Sequence, residues 1–356
     1  MQGRETSINN TFLHQGWQMT TIGIDVGAKE LVVAVRHKQA TKIINGYPNT
    51  ASGITKIRAL CEKYLKYGPV RIAMEATGVY YLDAAISLSE NKQFEIIVAN
   101  PRATKAFSSA IMDRTKTDKV DSQMLALFAE KMDYPLWQRP SSSLIALRCY
   151  SRTIHSLTED KARVHNHLHA LSFSKETPLN VIELVKSNIA FLEQIIAKAK
   201  EEVIAVIHAN ENLNQSFALL QTIKGCGETS AIQILAEVSF IPEGLSHKQW
   251  VAYAGLDPRQ YQSGTSVNKK PQISKAGNRY LRKALFMPAL SASTHDPYVR
   301  QYMNHLVENR GLRKIQAVVA VMRKLLHAIH GMLLRNKPFD NTRFFGAQKL
   351  VSVAVA

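Results

Sequence analysis

Four carboxylates stand out by type and placing. Asp118 and Asp121, in KTDKVDSQMLALFAE, are three residues apart at the mouth of an amphipathic helical pattern and so share one helical face. Asp25 lies in GIDVG, a strand-like stretch in which alternation sends Ile22 and Ile24 to one face and Gly23 and Asp25 to the other. Glu75 ends VRIAME, just before the turn ATG. A strand that follows a crossover commonly lies beside the first, which would set Glu75 next to Asp25. Four carboxylates converging on one point repel one another and are stable only around cations. Two magnesium ions about 4 Å apart, activating one oxygen and steadying a leaving one, are the standard use of such a seat in phosphodiester chemistry. Each residue alone also has a plainer reading: Asp25 in solvent on an edge strand, Glu75 closing a turn, Asp118 as an N-cap with Asp121 in the first helical turn.

The elements that must position these groups follow from pattern. TIGIDV, LVVAVR and TKIINGY read as an antiparallel meander. A helix over roughly 51–67, the buried strand VRIAME, a helix from about Tyr80, the strand FEIIVA and helices on both sides of DRTKTD complete a β-β-β-α-β-α-β-α order over 20–135. That order argues an α/β domain with a mixed sheet and helical faces. Tyr80 and Tyr81 follow the ATG turn, where packing against the sheet is favoured over stacking on a base.

Residues 142–208 carry two heptad seams. The first runs through Leu147, Tyr150, Ile154, Leu157, Lys161, Val164, Leu168 and Leu171, broken by the lysine. The second runs unbroken through Ile182, Val185, Ile189, Leu192, Ile196, Ala199, Val203 and Val206. Two long helices joined at SFSKETPLN are expected, as an antiparallel hairpin, an intermolecular coiled coil or core helices of one domain. His165, His167 and His169 scatter around the helix off the seam and read as solvent-facing rather than metal-binding.

Residues 211–345 read as mainly helical. TIKGCGETSA predicts a helix, a Gly-x-Gly turn and a second helix, where the turn serves either geometry or a phosphate. DPRQYQSGTSVNKKPQISKAGNRYLRK is too polar for core and reads as a long functional loop. RGLRKIQAVVAVMRKLLHAIHGMLLRNK reads as a core helix with a basic outer face.

Lys and Arg outnumber Asp and Glu 45 to 28 in 356 residues, a formal net charge of +17 that implies a polyanionic partner. Arg313, Lys314, Arg323 and Lys324 are candidate phosphate contacts on that account. Three scattered cysteines, Cys61, Cys149 and Cys226, with no CxxC, indicate neither a disulfide framework nor a zinc site, and a reducing cytoplasm fits them. No apolar run reaches the length of a membrane span, about 18 residues, and no signal peptide is expected. The first residues, MQGRETSINNTFLHQGWQ, are patternless, and Met19 directly before the first strand is an alternative start to Met1.

With these residues assembled, the chain resembles the IS110 family of insertion-sequence transposases, whose relatives include Piv-type DNA invertases. Asp25 in GIDVG, Glu75 in MEATGVY, and Asp118 and Asp121 in KTDKVD look like that family's D-E-D-D set on a RuvC-like, RNase H-fold domain. IKGCGETSA and YAGLDPRQYQSGTSVNKKPQISKAGNRYLRKALFMPA resemble its C-terminal transposase segment. Lys224 stands where proline is usual, and residues 1–19 match nothing in the family pattern.

The resemblance implies a domain order: an extension at 1–19, a RuvC-like domain at 20–135, a coiled-coil hairpin at 142–208 and a mainly α-helical transposase domain at 211–345. It implies a recombinase that excises and inserts its element, in which a serine of Y-x-S-G attacks DNA and forms a phosphoserine link. That serine is Ser263 here, with Ser266 its close competitor. Lys269, Lys270, Lys275, Arg279 and Arg282 follow and would hold phosphates, while the acidic set would carry Mg2+. It further implies a structured guide RNA transcribed from the element, donor and target DNA as partners, and a homodimer pairing into a tetramer. A two-metal nuclease of the junction-resolvase kind and a Piv-type invertase remain the alternatives.

Overall fold

The structure, a computed structural model, describes residues 19–111, 117–263 and 267–345, without the side chains of 261, 263 and 267–271. The chain divides into two compact units, with the boundary between Arg139 and Pro140.

The first unit is built on five strands. β1 (Thr20–Val26), β2 (Glu30–His37) and β3 (Ala40–Pro48) form the expected meander; α1 (Ala51–Glu62) then leads to β4 (Val70–Glu75), α2 (Leu82–Ser89), β5 (Phe94–Ala99), α3 (Pro101–Ala110) and α4 (Asp118–Lys131). Strand order is β3-β2-β1-β4-β5, antiparallel across the meander and parallel from β1 through β4 to β5. β1 is therefore the central strand, which removes the edge-strand reading of Asp25.

Alternation along β1 sets two cores. Ile22 and Ile24 join Ile54, Ile57, Ile72 and Leu88 on one face, while Ala73 and Ile97 meet Leu125 and Phe128 of α4 on the other. This layering, helix on sheet on helix, is a mixed α/β domain consistent with an RNase H-like fold.

Local signals fix the helix ends. Thr50 caps α1, Asn100 caps α3 with Pro101 at its first position, and Thr117 caps α4 by accepting from the Val120 amide. The cap of α4 is thus Thr117 and not Asp118, because Asp118 is already helical. The expected helix over 51–67 stops at Glu62, followed by a 3-10 turn at Leu65–Tyr67, and α2 begins at Leu82 rather than Tyr80.

The second unit opens with α5 (Ser142–Ser172) and α6 (Leu179–His208), which pack along each other as an antiparallel pair within one chain. Leu147, Ile154, Ile196, Ala199, Val203 and Ile207 are buried in the seam, so its last step falls at Ile207 rather than Val206. The lysine in the first seam has a local partner: Lys161 Nζ lies 3.3 Å from Glu193 Oε1 across the pair. Such an exposed pair contributes less than about 1 kcal/mol, so the break weakens the seam little. His165, His167 and His169 are exposed, as expected.

The remainder packs around one apolar cluster: α7 (Glu211–Gln221), α8 (Glu228–Val238), α9 (His247–Ala254), β6 (Pro258–Ser263), β7 (Val267–Ile273), α10 (Arg279–Ala284), α11 (Phe286–His295), α12 (Pro297–Asn304) and α13 (Lys314–Arg335). The basic insert expected as a loop is instead an antiparallel hairpin of β6 and β7, because backbone pairing does not require apolar side chains. Gly225 takes φ +94°, and a Cβ there would stand 2.7 Å from the Ser291 Cβ, so packing and turn geometry account for it.

One sequence expectation about membranes needs correction. Among the described residues α13 is long and apolar enough, by length and composition, to cross a membrane. Its Val318, Val321, Leu325 and Ile329 are buried against the core of this unit, which explains the composition.

Candidate acidic site and basic hairpin

Pairing places two of the four carboxylates. β1 and β4 run parallel with Ile24 opposite Met74, so the next step sets Asp25 beside Glu75 at the strands' C-terminal ends. The other two arrive through α4. A Cβ at Gly23 would lie 1.9 Å from the Ser122 carbonyl oxygen and 2.4 Å from the Ala126 amide nitrogen, so the helix backbone rests directly on the strand there. Gly23 shares its face with Asp25, and Ser122 follows Asp121. That contact carries the first turn of α4 to the acidic face. At its far end the helix is held by an ion pair between Glu130 and Arg36 of β2.

Electrostatics record the crowding. Half-buried Asp25 has its pKa raised to about 6, first by burial and then by the charges of Asp118, Asp121 and Glu75. A hydrogen bond from the Val26 backbone opposes this only in part. Glu75 Oε1 accepts from the hydroxyl of Thr104, which is fully buried in α3.

By donor chemistry the set fits a hard divalent cation: four carboxylates, oxygen ligands only, with repulsion at Asp25 that a positive ion would relieve. Among the described residues no three His, Cys, Asp or Glu side chains stand close enough to form a ready cage. The structure thus supplies a shared field and the right donors.

In the second unit, Ser263 ends β6 opposite Val267, and Lys269 lies in β7 opposite Tyr261. Lys270 also belongs to β7. The side chains of Ser263, Lys269 and Lys270, and all of Ser266, lie outside the described residues. Lys275 is exposed with φ 52°, its amide bonded to the Gly255 carbonyl at 3.1 Å. Arg279, Arg313 and Lys314 are exposed.

Two expected phosphate contacts also have partners within the chain. Arg282 donates to the Ala254 carbonyl at 2.8 Å and so closes the C-terminal end of α9, where Gly255 turns left-handed. Lys324 is half-buried, 4.3 Å from the Tyr302 ring centre and 5.2 Å from that of Phe344, and burial lowers its pKa. Tyr81 packs on the sheet core as expected, whereas Tyr80 is exposed.

Sequence reading missed a buried polar centre. Glu237 of α8 is 1% exposed and receives Arg148 at 3.1 Å, Arg152 at 2.9 Å and the Asn278 side chain at 2.6 Å. These hydrogen bonds and charges hold its pKa below the usual carboxylate range against burial. Asn278 also caps α10 through the Tyr280 and Leu281 amides, so the centre fixes where the basic hairpin returns to helix. The lone acid in the apolar run AIQILAEV was its available signal.

Two family models match the chain. A DEDD transposase family model matches residues 22–171, which hold all four carboxylates, and a model described as the transposase IS116/IS110/IS902 family matches 217–304, which hold Ser263. The chain is 30% identical over 272 residues to the pilin gene-inverting protein of Moraxella bovis, covering 76% of this chain and 82% of that protein. The chain belongs to the IS110 family of transposases. It is also 31% identical over 153 residues to the transposase for insertion sequence element IS1111A of Coxiella burnetii, covering 41% of this chain and 40% of that protein. As an IS110-family member it is a transposase-class enzyme of DNA recombination, with DNA as its partner, and its DEDD domain is of a kind that points to a divalent metal.

Proposed function

We propose that this transposase excises and inserts its element through a phosphoserine–DNA intermediate formed at Ser263, with Asp25, Glu75, Asp118 and Asp121 as its Mg2+ seat. The observation that carries the reading is Asp25, half-buried on the central strand of a strongly basic chain, whose pKa is raised to about 6 first by burial and then by the charges of Asp118, Asp121 and Glu75. Magnesium, when bound, would supply charge stabilisation at a phosphoryl oxygen and lower the pKa of an attacking oxygen. The four carboxylates hold that ion. Ser263 Oγ bonds to phosphorus as the bond from phosphorus to the leaving strand oxygen breaks, and the serine proton ends on that departing oxygen, which leaves as a strand hydroxyl. Rejoining reverses this with a new strand hydroxyl. Lys269, Lys270, Lys275, Arg279, Arg313 and Lys314 hold backbone phosphates, and Arg282 positions the loop that carries Lys275.

The resemblance supports the rest of the proposal. Residues 20–135 form the RuvC-like domain, 142–208 the coiled-coil hairpin and 211–345 the transposase domain, behind an extension at 1–19. A structured RNA encoded by the element selects donor and target by base pairing, and the protein reads shape and backbone. The working unit is a homodimer pairing into a tetramer, acting in the cytoplasm on chromosomal DNA. A Piv-type invertase is the second reading, favoured by the name of the Moraxella relative.

The test uses cells carrying the gene with its native flanks. Protein covalently bound to DNA is sought on denaturing gels for wild type, Ser263→Ala, Ser266→Ala and Asp121→Ala. The expected adduct disappears with Ser263→Ala and survives Ser266→Ala. Cleavage that survives Ser263→Ala and fails in Asp121→Ala would instead establish a two-metal nuclease. Inversion of a flanked segment without excision would favour the invertase.

A further inference from the structure

We infer that Thr104 is the positioning residue for Glu75, an inference that rests on reading the acidic set as a cation seat. Thr104 is fully buried, and its hydroxyl touches Glu75 Oε1 while lying 3.0 Å from the Pro101 carbonyl oxygen. A hydroxyl has one proton to give, and a carboxylate is a stronger acceptor than a neutral carbonyl, so the proton goes to Glu75.

Local sequence brings the two together. Ala99, the last residue of β5, pairs with Glu75, Asn100 caps α3 through the Arg102 amide at 2.9 Å, and Pro101 begins the helix. One helical turn later Thr104 faces the carboxylate. Ala103 and Phe107 of the same helix pack on the apolar cluster beside it. Valine would fill the same space, so packing alone does not call for a hydroxyl here. Its effect is to hold Oε1 and fix the orientation of the carboxylate. Partners of this kind orient metal ligands, and removing one commonly weakens binding about 10- to 100-fold.

The experiment titrates Mn2+, a paramagnetic stand-in for Mg2+, into the full-length DNA-free protein and follows loss of the free-ion resonance signal. Wild type, Thr104→Val, Thr104→Ser and Asp25→Asn are compared, with thermal melts alongside. Thr104→Val is expected to weaken Mn2+ binding about 10- to 100-fold at an unchanged melting temperature. Thr104→Ser is expected to restore it. Wild-type affinity in Thr104→Val overturns the positioning role and leaves the seat standing. No Mn2+ binding by wild type, or binding indifferent to Asp25→Asn, overturns the seat and the inference together. Should Thr104→Val not fold, Thr104→Ala, which removes the hydroxyl without crowding, gives the same reading.

Discussion

Asp25 and Glu237 are both acids drawn out of water between a helix and its neighbours, yet their ionisation moves in opposite directions. Burial raises both. Around Asp25 the neighbours are three more carboxylates, and the pKa climbs to about 6. Around Glu237 they are Arg148, Arg152 and Asn278, and the pKa falls below the ordinary value. A buried acid compensated by its own chain is a structural fastening. One that is part-buried among like charges has no such compensation, and a cation would supply it, which is the basis of the proposed seat.

The sharpest way to break this comparison is to neutralise each acid in turn. Asp25→Asn is expected to abolish excision in a cellular assay while leaving the melting temperature of the metal-free protein at pH 8 equal to wild type or higher. Glu237→Gln is expected to cost about 3 kcal/mol or more in denaturant unfolding, because it leaves two guanidinium groups without their buried counter-charge. If Asp25→Asn proves the more destabilising at pH 8, the contrast between the two acids is wrong.

A smaller effect is expected at Gly23. A Cβ there meets the backbone of α4 itself, so Gly23→Ala should cost about 1–3 kcal/mol and move Asp118 and Asp121 off the acidic face, weakening Mn2+ binding. Binding at wild-type strength would mean that the helix approach does not set the site.

pH separates the acids more gently. Because Asp25 is raised, its contribution to stability is fully present below the usual carboxylate pKa, 3.8, and is lost as pH rises through about 6. Because Glu237 is lowered, its contribution is present above the usual value, 4.5, and is lost as pH falls through its depressed folded value. Hydrogen exchange in metal-free protein should therefore slow in β1 and α4 between pH 7 and pH 5, after correction for intrinsic rates. The same measurement should find α5 and α8 loosening only in stronger acid.

Much of this was legible in the sequence because it depends on neighbours along the chain. Alternation in TTIGIDV separated Ile22 and Ile24 from Asp25, the three-residue spacing put Asp118 and Asp121 on one turn, and the seams of α5 and α6 followed from their heptads. What stayed hidden depends on partners far along the chain. Glu237 meets arginines 85 and 89 residues away, and Thr104 meets Glu75 at a separation of 29. Sequence shows the charge of Arg282 and Lys324 but not the carbonyl or aromatic rings that engage them. The β6–β7 hairpin read as a loop because its residues are polar.

The most direct test of the acidic seat is calorimetry of Mg2+ binding to the DNA-free protein in buffers of different ionisation enthalpy. If Asp25 is a ligand with its pKa near 6, binding at pH 6 should release about half a proton, and binding at pH 8 almost none. Binding without proton release at pH 6, or no binding at either pH, would contradict the assignment of these four carboxylates to one cation seat.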